Sequence, residues 1–230
     1  MKGLGATHIE QLKHKFYDLH GDLKETLGRP KKNFRMVICG PNGSGKTSFY
    51  FHIVEQLQKY ERVDVFCYEQ RHGPDLQENI ARHKVKENKW NAIFYDPYAK
   101  RDSKLTLFEE LVKHLNKPKR AKVVVIDSID ACQFTNEECQ KLNEMFGHNT
   151  AFIWLSFEVN GKPKMVQARN IGGEGDYVLF AKFFIVRVDK SRFGGWKDYI
   201  VWEERAREKN PMYFADKDVQ TKATKKGKKK

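Results

Sequence analysis

Residues 34–54 read Phe34-Arg35-Met36-Val37-Ile38-Cys39, then Gly40-Pro41-Asn42-Gly43-Ser44-Gly45-Lys46-Thr47, then Ser48-Phe49-Tyr50-Phe51-His52-Ile53-Val54. The first run is an apolar strand, the last a helix, and a glycine-rich turn joins them. That turn fits G-x-x-x-x-G-K-[ST], a pattern that carries phosphate chemistry when a strand precedes it and a helix follows. Glycines let the backbone wrap close to phosphate oxygens, and amides at the helix start point at the negative charge. Lys46 then reaches the terminal phosphates and the Thr47 hydroxyl ligates a metal. The candidate cofactors are ATP and Mg2+, and the candidate phosphate-binding residues are Gly40, Pro41, Asn42, Gly43, Ser44, Gly45, Lys46, Thr47 and Ser48.

Such a loop needs an acidic partner for the metal from the end of another strand. Lys122-Val123-Val124-Val125-Ile126-Asp127 supplies one, and Asp127 is the candidate metal residue beside Thr47. Alone, an Asp at a strand end also reads as a helix cap. Ser128 and Ile129 follow, so no carboxylate adjoins Asp127 and a water-activating acid must come from elsewhere. Glu69 follows the strand-like run Val63-Asp64-Val65-Phe66-Cys67-Tyr68. This places it at the carboxyl edge of the sheet, where it can polarise a water in line with a γ-phosphate. A capping or salt-bridging role for Glu69 fits the same position.

Outward from the loop, strands read at 63–68, 92–95, 122–126 and 151–156, with helices near 75–83, 106–115 and 136–146 between them. That alternation predicts an α/β fold with a mainly parallel central sheet flanked by helices. Beyond Gly175 the rhythm changes. Strands over 177–188 and 196–203, joined through Gly194-Gly195, predict a carboxy-terminal antiparallel hairpin. Before the core, Ile9, Leu12, Phe16, Leu19 and Leu23 recur at three and four, predicting one amphipathic helix over 8–27. The organisation read from this is an amino-terminal helix and linker at 1–32, an ATPase core at 33–205, and a basic tail at 206–230.

Together these stretches resemble the RecA-like ATPases, most closely the RadA, KaiC and DnaB-helicase branch. The likeness rests on GPNGSGKT, VDVFCYEQ, VVVIDSID and DKSRFGG, in family order between Phe34 and about Glu204. It implies a ring or filament with ATP between subunits, and catalytic roles for Lys46, Glu69, Lys190 and Arg192, the last two reaching a neighbour's γ-phosphate. A cation there stabilises charge in the transition state. Ser156 stands where the family keeps a γ-phosphate sensor, and residues 160–175 read as a basic, glycine-rich loop able to contact DNA. The glycine-rich segment that usually precedes the first strand is absent, as are a zinc ribbon and a primase-interacting domain, which leaves a minimal core.

Charge points the same way. Lys plus Arg number 43 against 30 Asp plus Glu, a net +13 over 230 residues. From Ala215 to Lys230 seven Lys and two Asp hold +5, leaving +8 on the body. Such an excess draws a protein toward polyanions, so the partners expected are DNA, single-stranded, through the loop and tail, and further copies of the chain. With 40% apolar residues the chain has the makings of a core, and no apolar run reaches bilayer length. A cytoplasmic protein without membrane contact is expected. Cys39, Cys67, Cys132 and Cys139 form no metal-knuckle spacing. The leading expectation is an ATP-hydrolysing motor or switch in DNA recombination, repair or replication. Beside it stand a P-loop kinase acting on a small molecule and a non-hydrolysing, ATP-dependent assembly protein.

Overall fold

The computed structural model describes residues 3–83, 85 and 92–215. The expected amino-terminal helix is divided into α1 (Ala6–Glu10) and α2 (Gly21–Leu27). Between them the chain runs extended, with Phe16 bridged to Lys31 and the Tyr17 amide donating to the Pro30 carbonyl at 2.8 Å. Burial there alternates as on a strand, Tyr17 and Leu19 entering the core while Phe16 and Asp18 face out. Ile9 and Leu12, read as part of the buried stripe, stay exposed. Backbone pairing to 30–32 overrides the helical spacing.

The core then alternates: β1 (Arg35–Gly40), α3 (Lys46–Leu57), β2 (Val63–Cys67), α4 (Pro74–Arg82), β3 (Ala92–Tyr95), α5 (Leu107–Leu115), β4 (Val123–Asp127), α6 (Ile129–Cys132), α7 (Asn136–Phe146) and β5 (Ala151–Val159). Thr106 and Thr135 each close a capping box, with Glu109 and Glu138 respectively, which is why α5 and α7 begin where they do. β2 and β4 are buried along their whole length, and β1 from Met36 to Gly40, as expected of strands covered on both faces. One face packs on α2 and α3 through Leu23, Leu27, Phe49, Ile53 and Leu57. The other packs on α5 and α7 through Phe108, Leu111, Leu142 and Phe146.

After β5 come β6 (Lys162–Pro163), which pairs back on β5, and α8 (Val166–Glu174). The stretch read as a mobile loop is therefore a tight hairpin and a helix whose Ala168 and Gly172 are buried. β7 (Tyr177–Lys182), β8 (Ile185–Ser191) and β9 (Tyr199–Ile200) complete the sheet in the order β3-β2-β4-β5-β1-β7-β8-β9. β1 to β5 and β7 are mutually parallel where they pair, while β8 and β9 are antiparallel additions. Antiparallel strands do flank Gly194-Gly195, which lies between β8 and β9, but the strand read over 177–188 is itself folded at Phe183-Phe184 into β7 and β8. Both phenylalanines are left-handed, at φ 54° and 59°, a conformation that costs a non-glycine residue roughly 1–2 kcal/mol.

The boundary read at 206 falls inside α9 (Glu203–Lys209), and helix resumes at 211–215. Ala206 and Phe214 are buried against Ile185, so the ordered body continues past the lysine-poor part of the expected tail. The lysine-rich stretch from 216 to 230 lies outside the described residues.

Candidate nucleotide site

β1 delivers the chain to Gly40 at the carboxyl edge of the sheet, and α3 starts six residues later at Lys46. Only glycine fits at position 40, because a Cβ there would lie 2.1 Å from the Ala181 carbonyl oxygen. Two strands away, with β5 interposed, β4 ends at Asp127. The Glu69 amide donates to the Asp127 carbonyl at 2.9 Å, so the chain leaving β2 carries the Glu69 side chain to the same edge. Asn42–Ser48, Glu69, Gln70, Asp127 and Phe184 line one open cleft of about 310 Å³.

Asp127 is 3% exposed, and burial, reinforced by the charge of Glu69, pushes its carboxyl up to about 7, against the opposing pull of Lys46. Lys46 is nearly as buried. Burial lowers its ammonium, while Glu69, Asp127 and Asp130 act in the opposite sense. The ammonium donates to the carbonyls of Gly40 at 2.8 Å and Pro41 at 2.9 Å and lies 4.9 Å from the Phe157 ring centre. Ser44 Oγ in the loop and Ser128 Oγ and Asp130 Oδ1 just after β4 are buried without a hydrogen-bond partner, and the Asp127 carboxyl has the Tyr50 hydroxyl beside it. Unpaired buried acceptors beside a lysine and a helix start are what a magnesium–phosphate group would satisfy. The residues present therefore fit Mg2+ and a nucleoside phosphate, with Thr47 and Asp127 on the metal side.

The raised carboxyl gives a stability test. An aspartate whose folded value lies above its ordinary 3.8 loses stability as pH rises from about 4 to about 7, since the unfolded chain ionises first. Asp127→Asn removes that loss. Without nucleotide it should unfold at higher denaturant than wild type at pH 8, by on the order of 4 kcal/mol, with the gap closing near pH 4. Equal gaps at both pH values in urea melts would refute the buried-charge account.

The AAA domain family matches residues 32–158, more than half of the chain. The chain belongs to the AAA domain family. No curated protein is significantly similar to it in sequence. Among solved structures, a KaiC-like protein from the hyperthermophilic archaeon Pyrococcus horikoshii matches 81% of this chain and 93% of its own, with a TM-score of 0.55 and 19% identity. The flagellar accessory protein FlaH from Methanocaldococcus jannaschii matches 80% and 92%, with a TM-score of 0.59 and 14% identity. At such identities the likeness is one of fold, and the fold of this AAA domain is RecA-like.

The residues read from sequence separate into two groups. The loop residues Asn42–Ser48, Glu69 and Asp127 share the cleft. Lys190 and Arg192 do not join them. Ser191, between the two, pairs with Tyr177, which pairs with Met36 near the start of β1, so both cations stand at the edge opposite the loop. There Lys190 donates to the carbonyls of Gly172 at 3.0 Å and Gly173 at 2.6 Å, and Arg192 is exposed. Ser156 is level with Cys39 at the correct end of β5, yet its hydroxyl donates to the Phe157 carbonyl at 3.1 Å. In the stretch read as a DNA loop, Arg169 bonds to the carbonyls of Pro163 and Lys164, which ties it to its own hairpin.

Three residues that sequence reasoning passed over also matter. Asp130 accepts the Phe157 amide at 2.9 Å and so ties the end of β5 to the helix after Asp127. Its spacing of three from Asp127 was the available signal. Phe157, against Lys46, and Phe184, against the loop, carried none, because their neighbours there come from distant strands.

Proposed function

We propose that this AAA domain protein binds Mg–ATP in the cleft between its glycine loop and Asp127, and that nucleotide occupancy controls how copies of the chain assemble. One observation carries the reading: among the described residues Lys46 is the only cation lining the cleft, while Lys190 and Arg192 stand at the opposite edge of the sheet. On this reading a second cation for the γ-phosphate comes from another subunit, and a heterologous contact of that kind closes rings or builds filaments. The structural likeness to a KaiC-like protein and to a flagellar accessory protein agrees with an assembly or switch protein better than with a DNA-processing motor.

Hydrolysis belongs to the same proposal. Bound Mg2+, held by Thr47 and Asp127, would neutralise phosphate charge. Lys46 would hold the terminal phosphates, and Glu69 would take a proton from a water attacking the γ-phosphorus as the bond to the bridging oxygen of ADP breaks. Glu69 is exposed at the cleft, with room for that water. Net charge keeps a second reading alive, in which the assembly forms on DNA, since +13 favours a polyanion.

Size-exclusion chromatography with ATP turnover, each run with and without Mg–ATP and single-stranded DNA, tests both. Mg–ATP alone should move the protein to an assembled peak. A monomer at every nucleotide concentration would sink the assembly reading, and assembly only when DNA is added would favour the second.

A further inference from the structure

The cleft described above is built for phosphate and metal, with one exception. Apart from Phe184, the described residues lining it are glycine or polar. Phe184 arrives from the β7–β8 turn, where it and Phe183 both adopt a left-handed backbone, as Asn-Gly would do more comfortably. The turn is held against the glycine loop. The Phe184 amide donates to the Ser44 carbonyl at 3.0 Å, and a Cβ on Gly45 would lie 3.1 Å from the Phe184 ring. Its own carbonyl accepts the Val201 amide at 2.8 Å, and Trp202 meets the ring edge-on at 6.0 Å. Phe183 beside it is 41% exposed, with the Lys182 ammonium 5.2 Å from its ring centre.

Backbone bonds on both sides of Phe184 and its packing against the core keep this left-handed pair at the ligand cleft, with the ring only half-buried there. We propose that the Phe183-Phe184 turn is the nucleobase wall of the site: the flat ring of Phe184 receives the base once the loop holds the phosphates. Every base has a π-face, so such a wall favours a nucleoside triphosphate over bare triphosphate and discriminates little between bases. This inference rests on the nucleotide reading of the cleft and adds which end of the ligand lies against which element.

Calorimetric titration of the full chain with Mg–ATP, Mg–GTP and Mg–tripolyphosphate tests it, with melting temperature as the check on folding. Wild type should bind ATP and GTP within a few-fold of each other, and both more tightly than tripolyphosphate. Phe184→Leu keeps apolar volume against Val201 but loses the flat ring. It should lose about tenfold in affinity for both nucleotides and none for tripolyphosphate, whereas Phe184→Tyr should retain wild-type affinity. Unchanged ATP affinity in a folded Phe184→Leu variant would place the base elsewhere. Equal weakening of ATP and tripolyphosphate would show that the turn only props the loop. Wild type binding no ligand would overturn the nucleotide reading itself, and the wall with it.

Discussion

Glu69→Gln should bind Mg–ATP with wild-type affinity and hydrolyse it at least about a hundredfold more slowly. The amide matches the carboxylate in size and hydrogen-bonding reach but cannot hold a proton taken from water. Position supports the assignment: the Glu69 amide is bonded to the Asp127 carbonyl, and both residues line the loop's cleft. Glu69 also reinforces the burial that raises Asp127, so the substitution has a second readout. Without that neighbouring charge Asp127 should ionise at lower pH, shifting the pH dependence of Mg–ATP affinity downward. Turnover at the wild-type rate would move the catalytic carboxylate to another residue. Of the acids acting on the Lys46 ammonium, Asp130 is then the next to test.

The second large effect is a recovery of activity. Arg192→Ala should keep its own loop and bind ATP, yet turn it over poorly if its charge belongs to a neighbour's transition state. Lys46→Ala should fail at its own cleft while still presenting Arg192. Mixed in equal amounts, about a quarter of randomly formed head-to-tail interfaces pair an intact loop with an intact Arg192, and activity should return to roughly that share of wild type. The fold makes the test clean, because Arg192 follows β8 at the edge opposite the loop and no cis route joins them. Mixed assemblies that form and stay inactive would rule out the trans role. Arg192 would then be an exposed surface charge, with Lys190 a cap on the carbonyls that end α8.

How far the chain could be read without its structure depended on how local the determining physics is. The glycine loop lies between a strand and a helix that announce themselves by apolar runs. α5 and α7 start at Thr-x-x-Glu boxes whose bonds close within one turn. β2 and β4 are mainly apolar runs that end buried along their whole length, and their ends placed Glu69 and Asp127 at one edge. These features needed only neighbours within a few residues.

What failed to be legible depended on partners far away in sequence. The helical spacing over 8–27 was real, but pairing of 15–17 with 30–32 outweighed it and left Ile9 and Leu12 without a core to enter. The glycine pair at 194–195 looked like the hairpin turn. It does join β8 to β9, but a second turn formed at two phenylalanines, a choice that local propensity opposes and that contacts with Ser44, Val201 and Trp202 support. Likewise the sequence placed Lys190 and Arg192 in the chemistry without saying on which side of the sheet. By itself the sequence determined which loop and carboxylates meet at one cleft, because those signals are short-range. Only the tertiary structure decided that, among the described residues, Lys46 is the one cation and Phe184 the one aromatic side chain lining the cleft, because strand order and register set which distant residues reach an edge and which face away from it.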